Sequence, residues 1–405
     1  MLRDRVVDSL THWRIVCRNE AILYYYPCMG ITVSHTSALY MLRMMRAQGY
    51  DFTKPTNARL VKPTPWVGER WGSRAFDDSL WAWQKPKRDC HLDILVRNAE
   101  ERVRMRMVDS HICATKLPKG SILWVDEHAS IVSPELLFVQ MAGIMSLPAL
   151  VLLGYELCGH YARCPEDPIN GPVADELPAV TSVSDLRRYA TSVSALTGKG
   201  RAVEALEYVN DNAISAPEGL LGTFFSLPMI ELGYGMGHVT LNRRLRIHAA
   251  EEGDARHRYP DIMFSFAPIG INYDGEDHLE LSEIVEATKI CERADKTEER
   301  AAALTERERV CREVRAKAVD VICRDRDLAS EGVLVFRVVK EDLSEEGGLD
   351  KVIRRILGCA RNLLGVDTTP YEAALDDTEL CRERNELLRA FWPHGESPMG
   401  RREVV

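Results

Sequence analysis

The chain has 405 residues, enough for two or three domains. With 45% apolar and 28% charged residues it is neither a disordered chain nor a disulfide-stapled miniprotein. The net charge of −9 argues against a uniformly basic nucleic-acid binder.

That average hides a division. Residues 1–110 hold 18 Lys/Arg against 12 Asp/Glu, whereas the remainder holds 34 against 49. Five of the seven tryptophans (Trp13, Trp66, Trp71, Trp81 and Trp83) lie in the basic front. Such a front is expected either to face phosphates or to be a solvated basic face beside core aromatics. The longest apolar run, Met141–Leu153, is interrupted by Gly143, Ser146 and Pro148. It falls short of the about 20 residues that span a bilayer. The N-terminus, MLRDRVVDSL, has no apolar h-region. Eleven cysteines in irregular positions, with no CxxC pair, read as reduced thiols of a cytoplasmic protein.

Residues 1–50 read as a small helical region, with Ser34 or Thr36 capping a helix over Ser37–Arg46. Pro55, Pro63, Pro65 and Pro86 break residues 51–88 into loops. Short strands are expected at 91–97, 103–108 and 121–125. Ser133-Pro134-Glu135 then opens a helix through LLFVQMAGIM, and Leu150–Tyr161 forms a second. Together, residues 51–163 read as a β-rich unit with a helical pair. Residues 164–184, with four prolines, read as a linker.

Residues 185–366 read as a layered α/β domain. Helices are expected at Asp185–Leu196, Gly200–Asp211 and from 215, then strands at His238–Ile247, Tyr259–Phe266 and Gly270–Tyr273. The charged stretch 282–326 reads as one long helix or two shorter ones. Val333–Val339 is an unbroken apolar run apart from Arg337, which predicts a buried inner strand. Asp350–Leu363 is a closing helix, and residues 367–405 read as a peripheral tail.

The residues that carry chemistry lie within 215–278. They are Glu218 at a helix start, Asp261 after Pro260, Asn272 and Asp274 on the next strand, and His278 beyond it. Positions i and i+2 of a strand share a face, so Asn272 and Asp274 point the same way. With Asp261 on that side, two carboxylates and an amide can converge on a hard divalent cation. Blander roles stand beside this one. Ser215-x-x-Glu218 spells a capping box, Asp274-Gly275 is a common turn pair, and His278 suits any surface. Cys158, His160 and Cys164 make only half a zinc site. Arg309, Arg312, Arg315 and Lys317 read as a solvated helix face.

The order of these motifs resembles the PD-(D/E)xK nuclease fold, in the very-short-patch-repair-like branch found at the C-terminus of abortive-infection antitoxin-like proteins. The resemblance rests on Ser215-Ala216-Pro217-Glu218, Gly233-Tyr234-Gly235 with Leu241-Asn242, and Tyr259-Pro260-Asp261. It continues through Asn272-Tyr273-Asp274-Gly275 with His278, and Asp325-Arg326, Leu328, Gly332 and Val335-Phe336-Arg337. It covers about residues 205–365 and implies a restriction-endonuclease-like mixed sheet flanked by helices. It further implies Mg²⁺ or Mn²⁺ held by Asp261 and Asp274, a DNA substrate, a protein toxin partner and a role in bacterial phage defence. By the same resemblance, residues 1–50 correspond to a degenerate winged helix. One departure bears on activity: the family's glutamate is Asn272 here, and no lysine stands at 274. The expected function is therefore DNA interaction with weak or lost cleavage, or a non-catalytic antitoxin-like regulator or protein-interaction module.

Overall fold

The computed structural model describes residues 30–50, 52, 58–60, 62–63, 91–125, 129–248, 257–275, 281–293 and 297–392. The expectations for residues 1–29, for the five front tryptophans and for His278 lie outside the described residues. The chain divides into two units: residues 1–41 with 54–133, and residues 42–53 with 134–405. The proline-rich stretch 164–184 therefore lies inside the second unit and not between units. Its backbone is tied there, with Leu177 N donating to His160 O and Val180 N to Leu157 O.

The first unit is built on a five-stranded mixed sheet. Its strands are β1 (Ile31–Val33), β2 (Leu92–Val96), β3 (Val108–Ile112), β4 (Ile122–Trp124) and β5 (Ala129–Val132), in the order β3-β2-β1-β5-β4. β1 runs parallel to β5 and antiparallel to β2. Ile31–Val33 corrects the all-helical expectation for residues 1–50: its β-branched residues are fully buried as the middle strand. The strand expected at 103–108 begins only at Val108. Helix α1 (His35–Ala47) follows β1, and from Leu42 onward it is counted in the second unit.

The second unit opens with α2 (Pro134–Met141) and α3 (Leu147–Cys158), both almost wholly buried. Within it, Glu156 receives Arg43 in a bidentate pair at 2.8 and 2.7 Å, a buried charge met by a planar fork. α4 (Val183–Ser192) and α5 (Lys199–Ala205) pack beside them. Then come α6 (Ala216–Ser226) and strands β6 (Val239–Leu241), β7 (Leu245–Arg246), β8 (His257–Arg258), β9 (Ile262–Phe264) and β10 (Ile269–Asp274). α7 (Leu281–Arg293) and α8 (Thr297–Ser330) precede β11 (Leu334–Val339), which is followed by α9 (Lys340–Ser344) and α10 (Gly348–Leu364). β6, β9, β10 and β11 form a four-stranded sheet in the order β11-β10-β9-β6. β10 is antiparallel to β9 and parallel to β11.

Two expectations are corrected here. β11 is an edge strand, half-buried along most of its length, and not an inner one. Its apolar run is explained by cover on its faces: α8 and α10 contact it, and Val333 joins Met263 and Leu328 in a buried cluster. Residues 367–405 are not simply peripheral. α11 (Thr369–Asp376) and α12 (Thr378–Phe391) carry Arg384 into the interior, 1% exposed, with its guanidinium 4.2 Å from the ring centroid of Tyr234. Arg384 Nη1 donates to Asp350 Oδ1 at 2.9 Å, and Tyr234 O–H to the same oxygen at 2.7 Å. Among the described residues no helix is long and apolar enough to cross a membrane.

Candidate functional site at the end of the second sheet

Pro217 sits in the first turn of α6, where its missing N–H costs nothing, and extended Ser215 precedes the helix. The Ser215 side chain does not cap the helix; its hydroxyl donates to Glu218 Oε1 at 2.9 Å. Glu218 Oε2 accepts Ile214 N at 2.9 Å and Asn242 Nδ2 at 2.6 Å. The carboxylate is buried and engaged from three sides. Burial raises its pKa, which these three donors only partly oppose. Asn242 adopts a left-handed φ of +49°, a conformation asparagine tolerates. There it links Glu218 to the strand that carries the next acid, because its own N donates to Asp261 O at 3.0 Å.

Asp261 immediately precedes β9. The antiparallel pairing of Ile271 with Ile262 brings Asn272 alongside it. Asp261 N donates to Asn272 Oδ1 at 3.2 Å, and Tyr273 N donates to Asp261 Oδ2 at 2.7 Å. The Asp261 carboxyl is pushed up to about 7, first by burial and then by the negative charges of Glu218 and Asp274. The Tyr273 N–H and the Arg324 cation oppose that rise. Asp261 thus lies close enough to feel the charges of both Glu218 and Asp274.

Asn272 is 2% exposed, and its Nδ2 donor has no hydrogen-bond partner. An orphaned buried donor costs about 1–3 kcal/mol. In the parallel register Asn272 faces Arg337 and Asp274 faces Val339. Arg337 reaches along the strand: Nη1 donates to Asp274 Oδ2 at 2.5 Å, and Nη2 and Nε donate to Asp325 at 2.8 and 3.2 Å. Partial burial disfavours its charge, but the hydrogen bonds to Asp325 and Asp274 outweigh this and hold it more firmly protonated. Tyr273 points to the other face, where its ring meets Trp392 edge-on at 5.9 Å.

The residues that hold this arrangement together, Asn242, Arg324 and Arg337, were not identified as site residues by sequence reasoning. The signal for Arg337 was a cation breaking an otherwise apolar strand. Among the described residues no group of three or more His, Cys, Asp and Glu side chains is placed to hold a metal ion. Glu218 is spent on its three donors, Asp274 is bridged by Arg337, and Asn272 brings no charge. The donor set as it stands does not fit the Mg²⁺ or Mn²⁺ that the resemblance implies. The half zinc site gains no partners either: the Cys158 thiol is buried and His160 Nδ1 lies 3.0 Å from Leu177 O. Arg309 is engaged on its own helix face by Glu306 and Glu313. No family model, curated protein or solved structure matches this chain.

Proposed function

We propose that the second unit is a restriction-endonuclease-like, DNA-interacting domain in which metal-dependent phosphodiester cleavage is weak or lost, within a cytoplasmic protein of a bacterial defence or toxin–antitoxin type system. The fold reading is supported by the order α6, β6, β9, β10, α8, β11, with the last strand returning parallel to β10. Gathering Glu218, Asp261 and Asp274 near one end of that sheet supports a site descended from a nuclease centre. The observation that carries the weakened activity is Asn272, a neutral, buried amide with an orphaned donor where the resemblance calls for a carboxylate.

The alternative is a non-catalytic antitoxin-like regulator or protein-interaction module that binds DNA, a toxin, or both. The Arg337 bridge to Asp274 favours it, since that cation already neutralises the acid a metal would need. Plasmid nicking with titrated Mn²⁺ separates the two, using wild type, Asp261→Ala and Asn272→Glu. In a weakened enzyme, restoring the acid raises the nicking rate and Asp261→Ala abolishes it. Absence of nicking in wild type and in Asn272→Glu, with DNA binding intact, leaves the module. Absence of both nicking and DNA binding refutes the whole reading.

A further inference from the structure

The first unit contains a cleft of about 750 Å³ that the second sheet's chemistry does not involve. It is formed by residues 58–60, Arg97 just beyond β2, and the loop 113–121 between β3 and β4. Backbone bonds fix this frame: Ala58 N donates to Ile122 O at 3.1 Å and Cys113 N to Val96 O at 2.7 Å. The loop closes on Gly120, whose φ of +88° suits glycine, with the Ser121 hydroxyl donating to Pro118 O at 2.7 Å.

Four cations line the cleft, Arg59, Arg97, Lys116 and Lys119, and among the described residues no aspartate or glutamate does. Arg97 is engaged by Glu101, with Nε donating to Oε1 at 2.8 Å. Arg59, Lys116 and Lys119 have no ion pair or hydrogen bond among the described residues. Several cations lining one cleft, with no acid among its described lining, give it a positive potential that favours an anion. The remaining wall is apolar, from Leu60, Leu117, Pro118 and Ile122. Small-molecule sites run about 300–1,000 Å³ and combine apolar walls with a few polar anchors. A phosphate alone would leave most of this volume empty.

We propose that this cleft binds a nucleotide unit carrying a phosphate, with Arg59, Lys116 and Lys119 on the phosphate and the apolar wall against the sugar and base. Among the described residues no aromatic ring lines the cleft, so on this lining the base is held by contact and the phosphate supplies most of the affinity. The unit reaches the site as a free nucleotide or as the phosphorylated end of a single strand.

The test is calorimetric titration of the full chain with four probes: adenosine, adenosine 5′-monophosphate, and a four-nucleotide thymidine strand with and without a 5′-phosphate. Each is repeated on Lys116→Glu/Lys119→Glu, whose exposed positions leave the thermal melt unchanged. Removing two phosphate contacts weakens binding by about tenfold or more, since each factor of ten needs only about 1.4 kcal/mol. Binding of the monophosphate but not adenosine, lost in the variant, establishes a free-nucleotide site. Tight binding of only the 5′-phosphorylated strand, lost in the variant, establishes a strand-end site. Binding of no probe, or equal binding by wild type and variant, overturns the proposal. Because the variant leaves Asp261, Asn272 and Asp274 untouched, it tests the cleft separately from the nicking reading.

Discussion

Asp261→Asn isolates the electrostatics of the second-sheet site. In the folded chain the carboxyl titrates near 7, against 3.8 as its ordinary value. Between those values the folded chain holds a proton that the unfolded chain has released. Stability from this group is therefore complete below 3.8 and is lost as pH rises through 7. The slope is about 1.4 kcal/mol per pH unit, or about 4 kcal/mol in all. Asparagine does not titrate, and its carbonyl can still accept the Tyr273 N–H. Asp261→Asn should therefore stabilise the protein more at pH 8 than at pH 5, by about 2.7 kcal/mol for the two pH units left before 7. Urea denaturation of wild type and variant at the two pH values measures that difference directly. An equal effect at both, or a variant less stable at pH 8, would refute the burial and repulsion described for Asp261.

Arg384→Ala should destabilise the second unit by about 3–5 kcal/mol in urea, because it leaves Asp350 buried without its guanidinium. A loss below about 1 kcal/mol, the scale of a surface pair, would return α12 to the periphery. In the first unit, burial and the neighbouring His111 charge lower the His35 pKa to about 4, against an opposing pull from Asp93. Its ring resonances should titrate near 4 by NMR, with stability falling as pH drops from 6.5 toward 4; titration near 6.5 would contradict the 3.7 Å stack of the two rings.

What the sequence made legible follows from how local each cause is. Pro217 after Ser215 fixes a helix start by itself, and period-two geometry places Asn272 and Asp274 on one face. These needed no knowledge of the rest of the chain. Ile31–Val33 was lost because three residues carry too little pattern, and its strand identity comes from β2 and β5 on either side. From sequence β11 reads as an inner strand, because an apolar run reports cover on its faces, not pairing on its edges. Arg384 lies in a segment with the charge pattern of an exposed helix, TELCRERNELLRAF; only the distant Tyr234 and Asp350 make it internal. The Arg337 bridge was hidden for the same reason, since its partners stand 12 and 63 residues away.

On the reading proposed above, the charge state of the site bears on binding as well as on cleavage. A cluster of ionised acids repels a phosphate backbone unless a metal neutralises it. Here Asn272 removes one charge from the outset, and Asp261, titrating near 7, is largely protonated at mildly acidic pH. Arg337, bonded to both Asp274 and Asp325, offsets one of their two charges. The sheet end therefore carries less negative charge than its acidic residues suggest. On the reading proposed above, DNA can approach it without first recruiting a cation. The substitution that weakens cleavage is then also one that favours metal-free binding. Asn272→Glu should reverse both effects, making DNA affinity more dependent on divalent cation while restoring the acid that cleavage requires. Filter binding with and without Mn²⁺ reads the first effect independently of nicking. Equal DNA affinity in wild type and variant under both conditions would refute this coupling.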